Sequence, residues 1–114
     1  MLRDELLEAG VTGFREKSEG VPGSPDLVFA EARLAVFVHG CFWHRCPYCH
    51  PHFPDSNREY WTAKFARNRV RDRRVRSLLR AQDWKPIVIW ECQLRKNPRR
   101  VVARVARAME RGVE

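Results

Sequence analysis

Apolar residues in this chain fall into short clustered runs whose spacing alternates between strand-like and helix-like. Leu2 to Ala9 reads as a short helix stopped near Gly10. Ser18 to Pro25 carries Gly20, Pro22, Gly23 and Pro25, a turn-rich approach to the first clear strand. Asp26-Leu27-Val28-Phe29 and Leu34 to Val38 are apolar runs separated only by Ala30 to Arg33, which predicts a tight antiparallel hairpin buried on both faces. Cys46 to Pro54 is proline-rich and irregular, and Asp55-Ser56-Asn57 offers an N-cap to a long helix from about Arg58 to Gln82. Pro86 to Trp90 is another β-type run, reached through a helix and therefore expected to lie parallel to its neighbour. Asn97 and Pro98 suit the N-cap and first position of a last helix, with Val101, Val105 and Met109 on one face. The order β-β-α-β-α predicts an α/β protein, a mixed sheet flanked by helices.

Composition narrows this picture without changing it. A chain of 114 residues is expected to form one domain, residues 1–114. No apolar run approaches the ~20 residues of a membrane span, and Met1 to Glu5 lacks an apolar signal region. We expect a cytoplasmic, nucleoid-associated protein with no membrane partner. The net charge of +8 is concentrated between Lys64 and Arg80, where Arg67, Arg69, Arg71, Arg73, Arg74 and Arg76 face one acid, Asp72. Such a field suits a polyanion, and a solvated helix face is the plainer alternative.

The candidate chemistry gathers after Val38. Cys41, Cys46 and Cys49 are spaced C-x4-C-x2-C, and Cys92 follows the later β-run. If the two strands are neighbours, the four thiolates converge into a closed, structural zinc site. Three alternatives stand beside it: Cys92 as an ordinary buried cysteine, Cys46-Pro47-Tyr48-Cys49 as a thiol redox motif, and His50 or His52 replacing a thiolate. The prolines at 51 and 54 oppose the helix that a redox motif needs.

Asp26 opens its strand as either a solvated end or a placed carboxylate, and phosphodiester cleavage needs a carboxylate to hold Mg²⁺. His39 and His44, at the end of the adjacent strand, are candidate acid/base groups. Phe42 and Trp43 either pack on the core and the cysteine loop or form a wedge for a base stack. On the long helix, a projection from Trp61 puts Phe65, Val75 and Leu79 on one stripe, with Asn68 and Asp72 inside it and Lys64 at its edge. Buried polar groups are costly unless paired, so this stripe marks a candidate cleft.

These residues together resemble the very-short-patch repair (Vsr) DNA mismatch endonucleases. The resemblance runs from about Val21 to Leu94 and rests on Val21-Pro22-Gly23-Ser24-Pro25-Asp26, Val36 to His44, Asn57 to Trp61, Lys64, Asn68, Arg71-Asp72 and Ile89-Trp90-Glu91-Cys92. It implies a restriction-endonuclease-like fold with a structural zinc on Cys41, Cys46, Cys49 and Cys92. It further implies Mg²⁺-dependent nicking of one strand beside a T:G mismatch. Asp26 and the Val38 carbonyl would bind Mg²⁺, His44 would activate water, and His39 and Asp72 would support it. Phe42 and Trp43 would intercalate, while Lys64, Asn68 and Arg71 would contact the DNA. The implied partners are mismatched duplex DNA and mismatch-repair proteins, met by a monomer. The family's N-terminal helical region, which carries a Glu near the active site, would lie ahead of Met1, and Glu5 and Glu8 do not match its motif. A catalytically impaired zinc-containing DNA-binding module is the alternative function.

Overall fold

Leu27–Phe29 (β1) and Leu34–His39 (β2) pair antiparallel in a computed structural model that describes residues 1–16 and 20–113, with side chains through Glu110. Leu27 stands opposite Val36, and Phe29 opposite Leu34. The Arg33 N–H donates to the Ala30 carbonyl at 3.2 Å and closes the turn. Arg33 adopts a left-handed φ of 54°. Its guanidinium lies 4.2 Å from the Trp84 ring centre and bonds to the Gln82 carbonyl, contacts that offset the cost of that conformation.

Lys85–Trp90 (β3) lies parallel to β2, with Val36 opposite Ile87 and His39 opposite Trp90. The sheet order β1-β2-β3 is thus mixed, as the apolar runs implied. The helices are Leu2–Glu8 (α1), Cys41–His44 (α2), Arg58–Ala81 (α3), Glu91–Lys96 (α4) and Pro98–Val113 (α5). The parallel pair needs a long connection, and α3 supplies it.

Alternation along β2 divides the core between the two faces of the sheet. Leu34 and Val36 face α1 and α5, where Leu2, Leu6, Ile89, Val101 and Val105 are buried with them. Ala35 and Phe37 face α3, where Leu79 is buried and Val75, Val88 and Trp84 pack around it. Burying each large aliphatic side chain contributes about 1.5–3 kcal/mol, so two-sided burial makes β2 the organising strand.

Local differences from the sequence expectation concern short elements. The turn-rich segment expected from Ser18 begins outside the described residues; from Gly20 onward it turns as expected, with positive φ at Gly20 and Gly23. Asn57 sits at the N-cap of α3 but in a left-handed conformation, with no side-chain capping bond. At α5 the expected cap is complete, because the Arg100 N–H donates to Asn97 Oδ1 at 3.2 Å. The one-turn α2 and the short α4 lie outside the sequence expectation, since neither segment is long enough to display a helical period. Both start where a parallel strand ends, after extended residues Gly40 and Trp90. No helix among the described residues is long and apolar enough to cross a membrane.

Candidate active site and cysteine cluster

Asp26 is exposed just ahead of β1, and its Oδ2 accepts a hydrogen bond from the Val38 N–H at 2.7 Å. Within a strand, one residue's N–H and C=O leave the backbone on the same side, so the Val38 carbonyl faces the same region. Both residues line a cleft of about 310 Å³ that also takes in Arg3, Glu16 and Leu94. Glu16 is a carboxylate absent from the sequence expectation. Arg15 exchanges backbone hydrogen bonds with Val28, both at 2.9 Å, and this bridge carries Glu16 in beside β1. The Arg3 Nε donates to Glu16 Oε1 at 3.3 Å. Glu5 and Glu8 instead line a separate cleft with Arg99. A single bridged residue leaves no periodic pattern in the sequence, so only the pairing reveals Glu16.

One residue beyond Val38, on the α3 side of the strand, the two histidines come together. The His39 and His44 rings stack with centroids 3.8 Å apart and planes within 10°. His44 Nδ1 lies 2.6 Å from Asp72 Oδ2, so α3 brings its inward carboxylate to α2. Donation from Nδ1 to the carboxylate leaves Nε2 as a proton acceptor. His39 is pushed down to about 4 by burial first, then by His44, Arg76 and Arg71, with Asp72 opposing. It is therefore a neutral ring at physiological pH. The ligand atoms of His39, His44 and Asp72 all lie within 4.8 Å of one another.

The aromatic pair divides its duties. Phe42 is half-buried, edge-on to Trp61 at 5.3 Å and to Phe65 at 5.4 Å. Trp43 is 49% exposed at the surface. Asn68, expected to contact the DNA, is only 6% exposed, and its Nδ2 donates to the Trp43 carbonyl at 3.1 Å. A buried amide must find a partner, and here the partner is the backbone of α2. Lys64 is half-buried on the same helix, and Arg71 is exposed.

The four cysteines converge as the strand ends predicted. Cys41, Cys46 and Cys92 are buried and Cys49 is exposed, with all four Sγ atoms within 4.8 Å of one another. Thiolates arranged tetrahedrally on metal–sulfur bonds of about 2.3 Å stand about 3.8 Å apart. The Cys46 and Cys92 sulfurs are 3.7 Å apart. The Tyr48 N–H donates to Cys46 Sγ and the Cys92 N–H to Cys41 Sγ, each at 3.4 Å. Burial drives the Cys46 thiol up, yet backbone donors at Cys49 and Tyr48 outweigh it and hold it below its ordinary value. The Cys92 thiol is raised, by burial first and then by its bond with Cys46. The cluster can hold a metal ion, with four thiols and no histidine among its ligand atoms. His50 is exposed, and His52 pairs instead with Asp55 at 3.4 Å. Cys46 does not open a helix, as a redox cysteine would.

Residues 1–49, which carry Asp26, His39, His44 and three of the cysteines, match the family model described as DNA mismatch endonuclease Vsr. The type II nicking enzyme V.XorIIP of Xanthomonas oryzae is 43% identical over 81 residues, 71% of this chain and 60% of the relative. The DNA mismatch endonuclease Vsr of Escherichia coli is 40% identical over 91 residues, 79% of this chain and 58% of the relative. The type II nicking enzyme V.NaeI of Lentzea aerocolonigenes is 40% identical over 89 residues, 78% of this chain and 48% of the relative. This chain thus spans between about half and three-fifths of the length of these relatives. The family model is matched across the hairpin and the cysteine loop, and these identities extend over most of the chain's residues, so both parts of the site lie in segments similar to the Vsr proteins.

Proposed function

We propose that this protein is a DNA mismatch endonuclease that nicks one strand of a duplex beside a T:G mismatch. In this reading the three-stranded mixed sheet is the core of a restriction-endonuclease-like fold. The observation that carries the proposal is the Val38 N–H bond to Asp26, which ties a carboxylate to the strand whose next residue, His39, stacks on the His44 ring bonded to Asp72. Phosphodiester hydrolysis needs these two kinds of group side by side.

Asp26, the Val38 carbonyl and Glu16 offer oxygen ligands only, a donor set that suits Mg²⁺. Bound there, Mg²⁺ supplies Lewis-acid polarisation of the phosphate and a lowered pKa for water. His44, oriented through Nδ1 by Asp72, presents Nε2 to take a proton from the attacking water. His39 stays neutral beneath it and limits positive charge in the stack. The all-thiolate cluster suits zinc in a structural role, clamping the irregular loop to the strand ends.

Trp43 is the leading edge of an aromatic wedge, and Phe42 supports it from within the cluster of Trp61 and Phe65. Asn68 serves recognition by holding the Trp43 carbonyl, and Lys64, one turn earlier on α3, contacts the bases. Arg71 and its neighbouring arginines supply phosphate contacts.

Strand nicking on labelled duplexes, one with a T:G mismatch and one fully paired, with Mg²⁺ or EDTA, tests the reading. Mismatch- and Mg²⁺-dependent nicking that disappears in Asp26→Ala supports it. Folded, metal-loaded protein that binds the duplex without nicking it would favour a DNA-binding module instead.

A further inference from the structure

A second basic surface lies across the sheet from α3. α5 packs on the Leu34, Val36 and Ile89 face, whereas α3 packs on the Ala35 and Phe37 face. Between α4, α5 and the cysteine loop runs a cleft of about 430 Å³. Lys96, Arg100, Arg104 and Arg107 line it, with Asn97 and Tyr48, and among the described residues no carboxylate does. Glu5 and Glu8 line a separate cleft with Arg99. Steps of four and three residues put Arg100, Arg104 and Arg107 on one side of α5, rising about 1.5 Å per residue. Arg104 is fixed there by donating to the Val88 carbonyl at 2.7 Å. Tyr48 projects from the cysteine loop, 65% exposed.

We propose that this cleft is a second nucleic-acid site, one that holds a single strand. The arginines and Lys96 neutralise successive phosphates, and Tyr48 gives a base a face to stack on. Single-strand sites combine these two elements, a cationic groove and an aromatic platform. The cleft has the volume of an ordinary ligand pocket, which admits a nucleotide-sized segment but not a duplex. The proposal is independent of nicking, because it concerns binding alone and a face that the histidines and Asp26 do not occupy.

The test is fluorescence anisotropy of a labelled single-stranded DNA oligonucleotide and of a paired duplex, without added Mg²⁺, using the full chain. We expect Arg100→Glu combined with Arg107→Glu to weaken single-strand binding at least tenfold and duplex binding less than threefold. The slope of log affinity against log salt for the single strand should fall by about 0.7 per lost phosphate contact. The matched reversal on α3, Arg73→Glu with Arg74→Glu, should show the opposite preference. Tyr48→Leu, an exposed change that leaves the charge intact, should weaken single-strand binding about fivefold or more. Unchanged single-strand affinity in both groove variants would overturn the proposal. So would equal losses for strand and duplex, or equal losses from the groove and α3 reversals.

Discussion

The Val38 N–H donates to Asp26 Oδ2 at 2.7 Å, so the carboxylate at the head of β1 is aimed by the backbone of the strand beside it. Asp26 thereby keeps one oxygen committed and the other open to the cleft shared with Glu16. A side chain held in this way arrives pre-oriented, and its replacement should affect chemistry more than folding.

Asp26→Asn should lower nicking by about 100-fold or more, because the amide is a poor ligand for a hard cation. Duplex affinity should stay within about threefold, since phosphate contacts dominate binding. Mn²⁺ titration followed by electron paramagnetic resonance reads metal binding separately from turnover. Retention of full Mn²⁺ affinity in the variant would remove Asp26 from the metal site.

His44→Ala should reduce kcat by about 10²- to 10⁴-fold, the usual contribution of a positioned acid/base group. Asp72→Asn should be less severe and should shift the pH–rate profile, because Asp72 acts through the 2.6 Å bond to His44. The double variant should be little worse than His44→Ala alone. Additive losses would show that the pair does not work as a unit.

His39 titrates at about 4 in the folded protein against 6.5 in the absence of perturbation. The groups facing it are His44, Asp72, Arg76 and Arg71, and burial outweighs them all. Between these two values the unfolded chain binds more protons than the folded one. Stability from this group is therefore complete above 6.5 and is lost as pH falls toward about 4. Histidine C–H resonances followed by NMR should give His39 a midpoint near 4, and His39→Gln should flatten the acid limb of a stability–pH curve. A midpoint near 6.5 would contradict the burial argument.

Removal of the cluster's metal by a chelator, or Cys92→Ser, should cost several kcal/mol, since the site ties the irregular loop to two strand ends. A loss of about 2 kcal/mol would lower the Tm by about 8 °C for a domain of this size. Elemental analysis should find zinc in the parent and little in the variant. An unchanged Tm with the metal gone would make the cluster dispensable to folding.

Gly23→Ala should destabilise by about 1–3 kcal/mol, read by urea denaturation. Gly23 has a φ of 81°, and a Cβ there would run into the Val75 side chain of α3. A neutral result would mean that the turn and α3 can move apart freely.

Much of this arrangement is legible in the sequence, and for definite reasons. Uninterrupted runs such as Leu34 to Val38 announce a strand covered on both faces, which is how β2 is built. The α3 stripe is readable because its 24 residues display the helical period several times over, which assigns Asn68 and Asp72 inward. The cysteines can be brought together because Cys41 and Cys92 each follow a strand, and the strands are parallel neighbours. What stays hidden depends on single contacts. The turns α2 and α4, the Arg15–Val28 bridge that delivers Glu16, and the amide of Asn68 on Trp43 leave no repeating trace. Asn68 lies on the face its position predicts, yet its partner is the backbone of α2, because periodicity fixes direction and not partner.

Asn68 and Asp72 are one helical turn apart on α3, and they hold consecutive residues of α2, the Trp43 carbonyl and the His44 ring. The four-residue α2 consequently has little freedom of its own. If Trp43 and His44 act as proposed, a displacement of the indole would be passed to the imidazole through this one turn, and sensing the substrate and reacting with it would become a single mechanical event. A duplex that cannot seat Trp43 would withhold the base from its working position, giving discrimination in the rate of cutting even where two duplexes bind equally well.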